Sequence, residues 1–197
     1  AHNSNRITDM GNSDNIIMGS NNETILRKGK ALGTFYGLVF EGIIQENEDV
    51  STLPTLNGNK LKPGDIKYTD TDRNGRIDGN DRVTLGKIQP DFTYGFSTQL
   101  NWKRLDVSVN FAGSYGNKLF NALGRRLEQT GDSYNLLRTV LDSWTTTNSS
   151  QRLPYASNER PTSYIDGRYV ENASYLKLRN ITVGYTLLLQ KGTKRGG

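Results

Sequence analysis

The stretch from Asp91 to Tyr115 constrains the fold of this chain more than any other. From Phe92 to Trp102 the even positions read Phe, Tyr, Phe, Thr, Leu and Trp, while the odd positions read Thr, Gly, Ser, Gln and Asn. After Lys103-Arg104 the alternation resumes, with Leu105, Val107, Val109 and Phe111 interleaved with Asp106, Ser108, Asn110 and Ala112. Period two means strand, because successive side chains leave a strand on opposite faces. The pattern predicts a hairpin of strands 92–102 and 105–115 joined by a tight charged turn, each roughly 9–11 residues long, the length a tilted strand needs to cross a bilayer. In a soluble sandwich the apolar face would meet a second sheet; in a barrel it would meet lipid. Periodicity does not separate the two. Strand length and the aromatics at the strand ends (Phe92, Tyr94, Trp102, Tyr115) favour the barrel, where aromatic girdles mark the interfaces.

Composition agrees with β-structure that has one wet face. The mean hydropathy is -0.67, low for a packed soluble core, yet 10 Tyr, 6 Phe and 2 Trp supply large apolar surface. With no cysteine, disulfides and thiolate metal sites are excluded. The net charge of +5 is mild, and the basic residues (Arg6, Lys60, Lys103, Arg104, Arg125, Arg126) are scattered without interleaved aromatics, so nucleic-acid binding is not expected. There is no apolar run of about 18 residues that would make a transmembrane helix. No signal peptide opens the chain, and Ala1-His2-Asn3-Ser4 reads as an internal start.

Elsewhere the pattern is weaker. Residues 1–23 read as loop with a short strand near Ile16-Ile17, and 34–44 as a strand with Tyr36, Leu38, Phe40 and Ile44 in phase. A helical turn is predicted at 46–50, and turns at Asn57-Gly58 and Pro63-Gly64. Leu119, Phe120, Leu123 and Leu127 predict a helix over 118–129, and Leu136, Leu137, Val140, Leu141 and Trp144 a second over 134–144. Residues 145–163 read as loop. The last strand, 175–187, changes phase between Leu178 and Ile181, which a bulge near Asn180 would reconcile. A short turn on one side of the hairpin and long insertions (45–91 and 116–174) on the other is how outer-membrane barrels are built.

One motif carries specific chemistry. Asp70, Asp72, Asn74, Asp78 and Asp81 occupy positions 1, 3, 5, 9 and 12 of a twelve-residue loop with Gly75 at position 6, the spacing of an EF-hand-like calcium loop. Arg76 would contribute only its carbonyl, Asp78 would bind directly or through water, and Ile77 would point inward to anchor the loop. Position 12 is Asp instead of Glu, and Ile66-Lys67-Tyr68 before the loop reads as a strand instead of a helix. The competing reading is an ion-free Asp/Asn/Gly turn. The expected role of Ca²⁺ is structural: crowded carboxylates are costly without a cation.

Catalysis is not expected. The only histidine is His2, so triads and zinc sites built on histidine are absent, and Glu46, Glu48, Glu128, Asp132 and Asp142 read as solvated turns and caps. No paired carboxylate site of the glycosidase kind is apparent.

Four segments, in order, resemble the SusC/RagA family of TonB-linked transporters. They are Gly33-Thr34-Phe35-Tyr36-Gly37-Leu38-Val39-Phe40-Glu41-Gly42-Ile43-Ile44-Gln45, then Gly64-Asp65-Ile66-Lys67-Tyr68-Thr69-Asp70 running through the calcium loop to Asp81-Arg82-Val83-Thr84-Leu85-Gly86, then Pro90-Asp91-Phe92-Thr93-Tyr94-Gly95-Phe96, and finally Tyr175-Leu176-Lys177-Leu178-Arg179-Asn180-Ile181-Thr182-Val183-Gly184-Tyr185. The resemblance implies an all-β chain with small helical insertions, part of an outer-membrane β-barrel in a Gram-negative, Bacteroidetes-like cell, with 45–91 and 116–174 as extracellular loops. It further implies import of glycan or peptide with a SusD-like lipoprotein, energised by TonB through a plug region upstream, with further barrel strands after Tyr185. A secreted, soluble, calcium-dependent adhesion module is the alternative reading from the residues alone.

Overall fold

The computed structural model describes residues 1–131, 135–157 and 162–187. In chain order the strands are β1 (Asn15–Met18), β2 (Thr24–Arg27), β3 (Thr34–Gly37), β4 (Phe40–Ile43), β5 (Thr55–Leu56), β6 (Ile66–Tyr68), β7 (Arg76–Ile77), β8 (Val83–Lys87), β9 (Phe92–Trp102), β10 (Leu105–Tyr115) and β11 (Lys118–Phe120). A short helix α1 (Ala122–Leu127) follows, then β12 (Val170–Asn172) and β13 (Tyr175–Tyr185).

The predicted hairpin is present at its predicted bounds. β9, β10 and β13 form an antiparallel sheet in the order β13-β10-β9. Across it Phe96, Phe111 and Leu178 stand in one row, and Leu100, Val107 and Val183 in another. The apolar residues of all three strands therefore share one face. The bulge lies where the phase change required it: Asn110 pairs with Asn180 but Phe111 with Leu178, so Arg179 is the extra residue that returns Leu176 and Leu178 to the apolar face. Eleven residues per strand rise about 37 Å, or about 28 Å of height at a barrel tilt of about 40°. That apolar face is uncovered: Phe96 is 60%, Leu100 63% and Val183 64% exposed. Among the described residues no other element packs on it, so within them it is not the inner face of a sandwich.

The insertions are not loose loops. They condense on a core of Leu38, Ile43, Ile44, Leu56, Leu61, Ile66, Tyr68, Ile77 and Trp144, drawn from both sides of the hairpin. The β4-β6 pair and the parallel β5-β7 pair contribute Ile43, Ile66, Tyr68, Leu56 and Ile77 to it, and β1-β2-β3-β8 forms a separate four-stranded sheet. At its neck the second insertion is closed by β11 pairing with β12, by Ala173 N–H donating to Asn117 O (3.0 Å), and by Gly116 N–H donating to Ser174 Oγ (3.0 Å).

Four sequence expectations are corrected. The single strand over 34–44 is two, broken at Leu38-Val39. Leu38 N–H donates to Ile165 O (2.9 Å) and Leu38 O accepts from Gly167 N–H (3.1 Å), so the chain leaves one sheet to clasp the second insertion. Thr34, Phe35, Tyr36, Gly37 and Leu38 are all buried, and an element covered on both faces has no alternation to read. The helix over 118–129 begins as strand β11, and only 122–127 is helical, with Asn121 Oδ1 accepting from Gly124 N–H (2.7 Å) as its cap. In the described part of 134–144 the only helical turn is a 3₁₀ segment at Arg138–Asp142; Tyr134 lies outside the described residues. The leucines at helical spacing do not form a buried stripe, Leu123 being 67% and Leu141 80% exposed, and without burial of an apolar face short helices are marginal. At 46–50 the chain makes a reverse turn closed by Glu48 N–H to Gln45 O (3.1 Å), then a 3₁₀ turn at Val50–Thr52 capped by Asp49.

Candidate metal centre

The loop from Asp70 to Asp81 is held at three points. At its centre Ile77 is 1% exposed and belongs to the core, as its position 8 predicts, and β7 pairs in parallel with β5. At its close Asp81 is fully buried. Asp81 Oδ1 accepts from Thr71 N–H (2.7 Å) and Oδ2 from Asp78 N–H (2.8 Å), while Thr71 Oγ1 donates to Asp81 O (3.1 Å). At its start Asp70 accepts from Asn74 N–H (3.2 Å) and Gly75 N–H (2.8 Å), curling the loop around its own carboxylate. Gly75 takes φ 78, a left-handed conformation that a side chain would strain.

The result is convergence of hard oxygens. One carboxylate oxygen from each of Asp70, Asp72 and Asp81 lies within 4.8 Å of the others. Asn74 Oδ1 accepts from Arg76 N–H (2.8 Å), and Asp78 Oδ1 accepts from Asn80 N–H (2.7 Å), capping the 3₁₀ turn Gly79–Asp81. The structure thus gathers Asp70, Asp72 and Asp81, sets Asn74 and Arg76 on the same loop, and turns Asp78 to a capping role. Each bonded carboxylate oxygen retains a second lone pair for a cation.

The electrostatics of the trio fit a cation. For Asp70, partial burial disfavours the charge, but the N–H groups of Gly75 and Asn74 outweigh it and hold the carboxyl below its ordinary range. Asp72 is pushed up, by desolvation first and then by the charges of Asp81 and Asp70, against the N–H of Asn74. A divalent ion would relieve that repulsion directly.

Two residues that spacing did not reveal complete the site. Thr71 latches the loop shut through both its N–H and its hydroxyl. Arg82 lies between the rings of Tyr36 (4.8 Å) and Tyr164 (4.5 Å), and its Nε donates to Gly79 O (3.1 Å). It fastens the loop's exit to β3 through Tyr36 and to the second insertion through Tyr164. The only sequence signal was the position of Arg82 immediately after the last residue of the loop.

No protein-family model matches the chain. TonB-dependent receptor P3 of Formosa agariphila is 34% identical over 163 residues, covering 83% of this chain and 16% of that receptor. TonB-dependent receptor SusC of Bacteroides thetaiotaomicron is 25% identical over 175 residues, 88% of this chain and 15% of that receptor. The solved structure of the RagAB peptide transporter superposes with a TM-score of 0.66 at 23% identity over 91% of this chain and 19% of its own. The chain belongs to the SusC/RagA-type TonB-dependent receptors. A second relative, TonB-dependent receptor P26 of Formosa agariphila, is 30% identical over 96% of the chain and 20% of that receptor. This SusC/RagA-type chain therefore spans about a fifth or less of the curated relatives it matches. Its sheet stays open because it carries only some strands of such a barrel.

Proposed function

We propose that this chain is a wall segment of an outer-membrane nutrient importer, driven by TonB and working with a SusD-like lipoprotein to take up glycan or peptide. The observation that carries this reading is the uncovered apolar face shared by three bilayer-length strands. β9, β10 and β13 cross the membrane with that face toward lipid and the polar face toward the lumen. The Lys103-Arg104 turn faces the periplasm, and the insertions 45–91 and 116–174 stand outside the cell.

The topology can be tested in the full-length receptor with any cysteine outside these residues first replaced, since this chain itself contributes none. There Leu123→Cys in intact cells is expected to react with a membrane-impermeant maleimide, and Lys103→Cys only after the outer membrane is permeabilised. Labelling of both sites in intact cells would refute the arrangement.

The 70–81 loop is read as a structural Ca²⁺ site with Asp70, Asp72, Asn74, the Arg76 carbonyl, Asp78 and Asp81 as its oxygen donors. Convergence of three carboxylates on one point supports it. Calorimetric titration of the intact protein with CaCl₂ is expected to give a single site that Asp70→Ala weakens by about 100-fold or more, the loss of one anionic donor being worth about 3 kcal/mol. A wild type without calcium-dependent heat defeats the assignment.

A further inference from the structure

A cluster of charge opposite in sign to the 70–81 loop lies where the N-terminal stretch meets the turn between β2 and β3. A recess of about 380 Å³ is lined there by four cations, Arg6, Lys30, Lys87 and Lys118, and among the described residues no carboxylate lines it. The four come from four segments: the N-terminal stretch, the β2–β3 turn, β8 and β11. Ile7 N–H donates to Lys30 O (2.9 Å) and Gly29 N–H to Ile7 O (2.8 Å), so Arg6 and Lys30 sit on stretches of main chain bonded to each other. Lys87 stands opposite Thr34 in the β3-β8 ladder. The stem of Lys118 lies against Gly86, where an added Cβ would come within 2.5 Å of its Cγ.

Gathering like charges costs free energy that a counter-charge offsets. The fold supplies one such charge. Asp91 Oδ1 accepts from Lys87 Nζ (2.6 Å), its carboxylate seated over Gly116, where any added Cβ would collide with it. The side chains of Arg6, Lys30 and Lys118 form no ion pair and no hydrogen bond among the described residues. These head groups carry donors and no acceptor, so the ligand they suit is an oxyanion of more than one charge. The recess also stands at the ends of the long strands. Gly116 on its wall follows Tyr115, and Asp91 precedes Phe92; the rings of Phe92 and Tyr115 stack at 5.3 Å, with Tyr94 5.9 Å from Phe92. Aromatic rings at strand ends mark the level of lipid headgroups.

We propose that this recess binds a phosphate group at the headgroup level of the membrane, held by Arg6, Lys30 and Lys118. The planar fork of an arginine matches two phosphate oxygens at once, and the lysines act as point charges. Lys87, already paired with Asp91, adds less. A neutral ligand would leave three cations uncompensated, and a cationic one would add to them. Two sources present the same chemistry at that level, an anionic lipid headgroup and a phosphorylated solute. The level rests on the importer reading; the charge of the recess does not.

The test uses the intact receptor carrying this chain, purified in detergent and free of calcium. Calorimetric titration with inorganic pyrophosphate reads the soluble source. Native mass spectrometry after mixing with phosphatidylglycerol, or with phosphatidylcholine, reads the lipid source. Binding of pyrophosphate, or retention of phosphatidylglycerol over phosphatidylcholine, is expected, and whichever arm responds identifies the source. Lys30→Gln combined with Lys118→Gln should weaken that binding by about tenfold or more. Neither head group bonds to the protein, so the double variant should fold. Lys30→Arg, which keeps the charge, should stay within about threefold. Lys28→Gln removes an exposed charge from the same turn but outside the recess, and should change affinity by less than about twofold. No response in either arm, binding indifferent to the double variant, or an equal loss from Lys28→Gln each overturns the proposal. Phosphate binding as expected, with maleimide labelling that contradicts the topology, would count against the importer reading alone.

Discussion

Replacing Asp81 with alanine is expected to destabilise the 70–81 loop and the core beneath it by about 4 kcal/mol. Asp81 is fully buried, and its two oxygens are the acceptors for Thr71 N–H and Asp78 N–H. Alanine strands both donors, at about 1–3 kcal/mol each, and opens a small cavity as well. Hydrogen exchange is the suitable measurement, because it reads local opening of one loop without requiring the whole protein to unfold. Protection across β6 and β7 should fall by about a thousandfold, since each 1.4 kcal/mol is a factor of ten. Asp70→Ala should behave differently. Its carboxylate is partly exposed and bonds only to the loop's own N–H groups, so calcium affinity is lost while β6 keeps most of its protection. Equal effects from the two variants would show that the loop does not divide fold-holding from ion-holding as its geometry indicates.

The second large effect belongs to the sheet. Val109 stands in the central row, paired with Thr98 on β9 and Ile181 on β13, on the apolar face. On the proposed barrel reading, Val109→Arg would put a guanidinium near the bilayer midplane, a cost of about 2–4 kcal/mol for a lipid-facing strand position. Asn110→Arg, one residue on, points to the polar face and should cost about 0–1 kcal/mol, because a lumen is wet. The amount of folded transporter recovered from outer membranes separates them: the first variant should be strongly depleted and the second near wild type. Equal recovery would mean that the two faces do not meet different media.

The sheet was legible in the sequence because one face of it is apolar and the other is not. Alternation survives only under that asymmetry, and it carried the hairpin, its two-residue turn and the bulge at Arg179 to within a residue. The turns at Asn57-Gly58 and Pro63-Gly64 were legible for a local reason: Asn57, Gly58 and Gly64 take φ of 51, 81 and 88, which few residues tolerate. The insertion core was not legible. Its residues come from 38–77 and from Trp144, and which of them meet depends on pairings across the hairpin that no local window contains. The misread helices have the same origin, for the spacing of Leu119, Leu123 and Leu127 is helical while their burial is not. At the 70–81 loop, spacing singled out the acidic residues that converge but could not show that Asp78 caps a turn or that Arg82 bridges two tyrosines.

The closed neck of the second insertion bears on how the sheet is assembled. β10 and β13 are separated by roughly sixty residues, and closing a loop of that length costs about 3 kcal/mol more in chain entropy than closing a two-residue turn. The β11-β12 pair and the bonds from Asn117 to Ala173 and from Gly116 to Ser174 bring the two strand ends together within the folded insertion. Once that happens, β13 meets β10 as if across a hairpin, with Ser114 opposite Tyr175 as the first rung. Registration would then zip from the insertion toward the Lys103-Arg104 end, and a lesion at the neck would slow barrel assembly without touching a single membrane-facing residue.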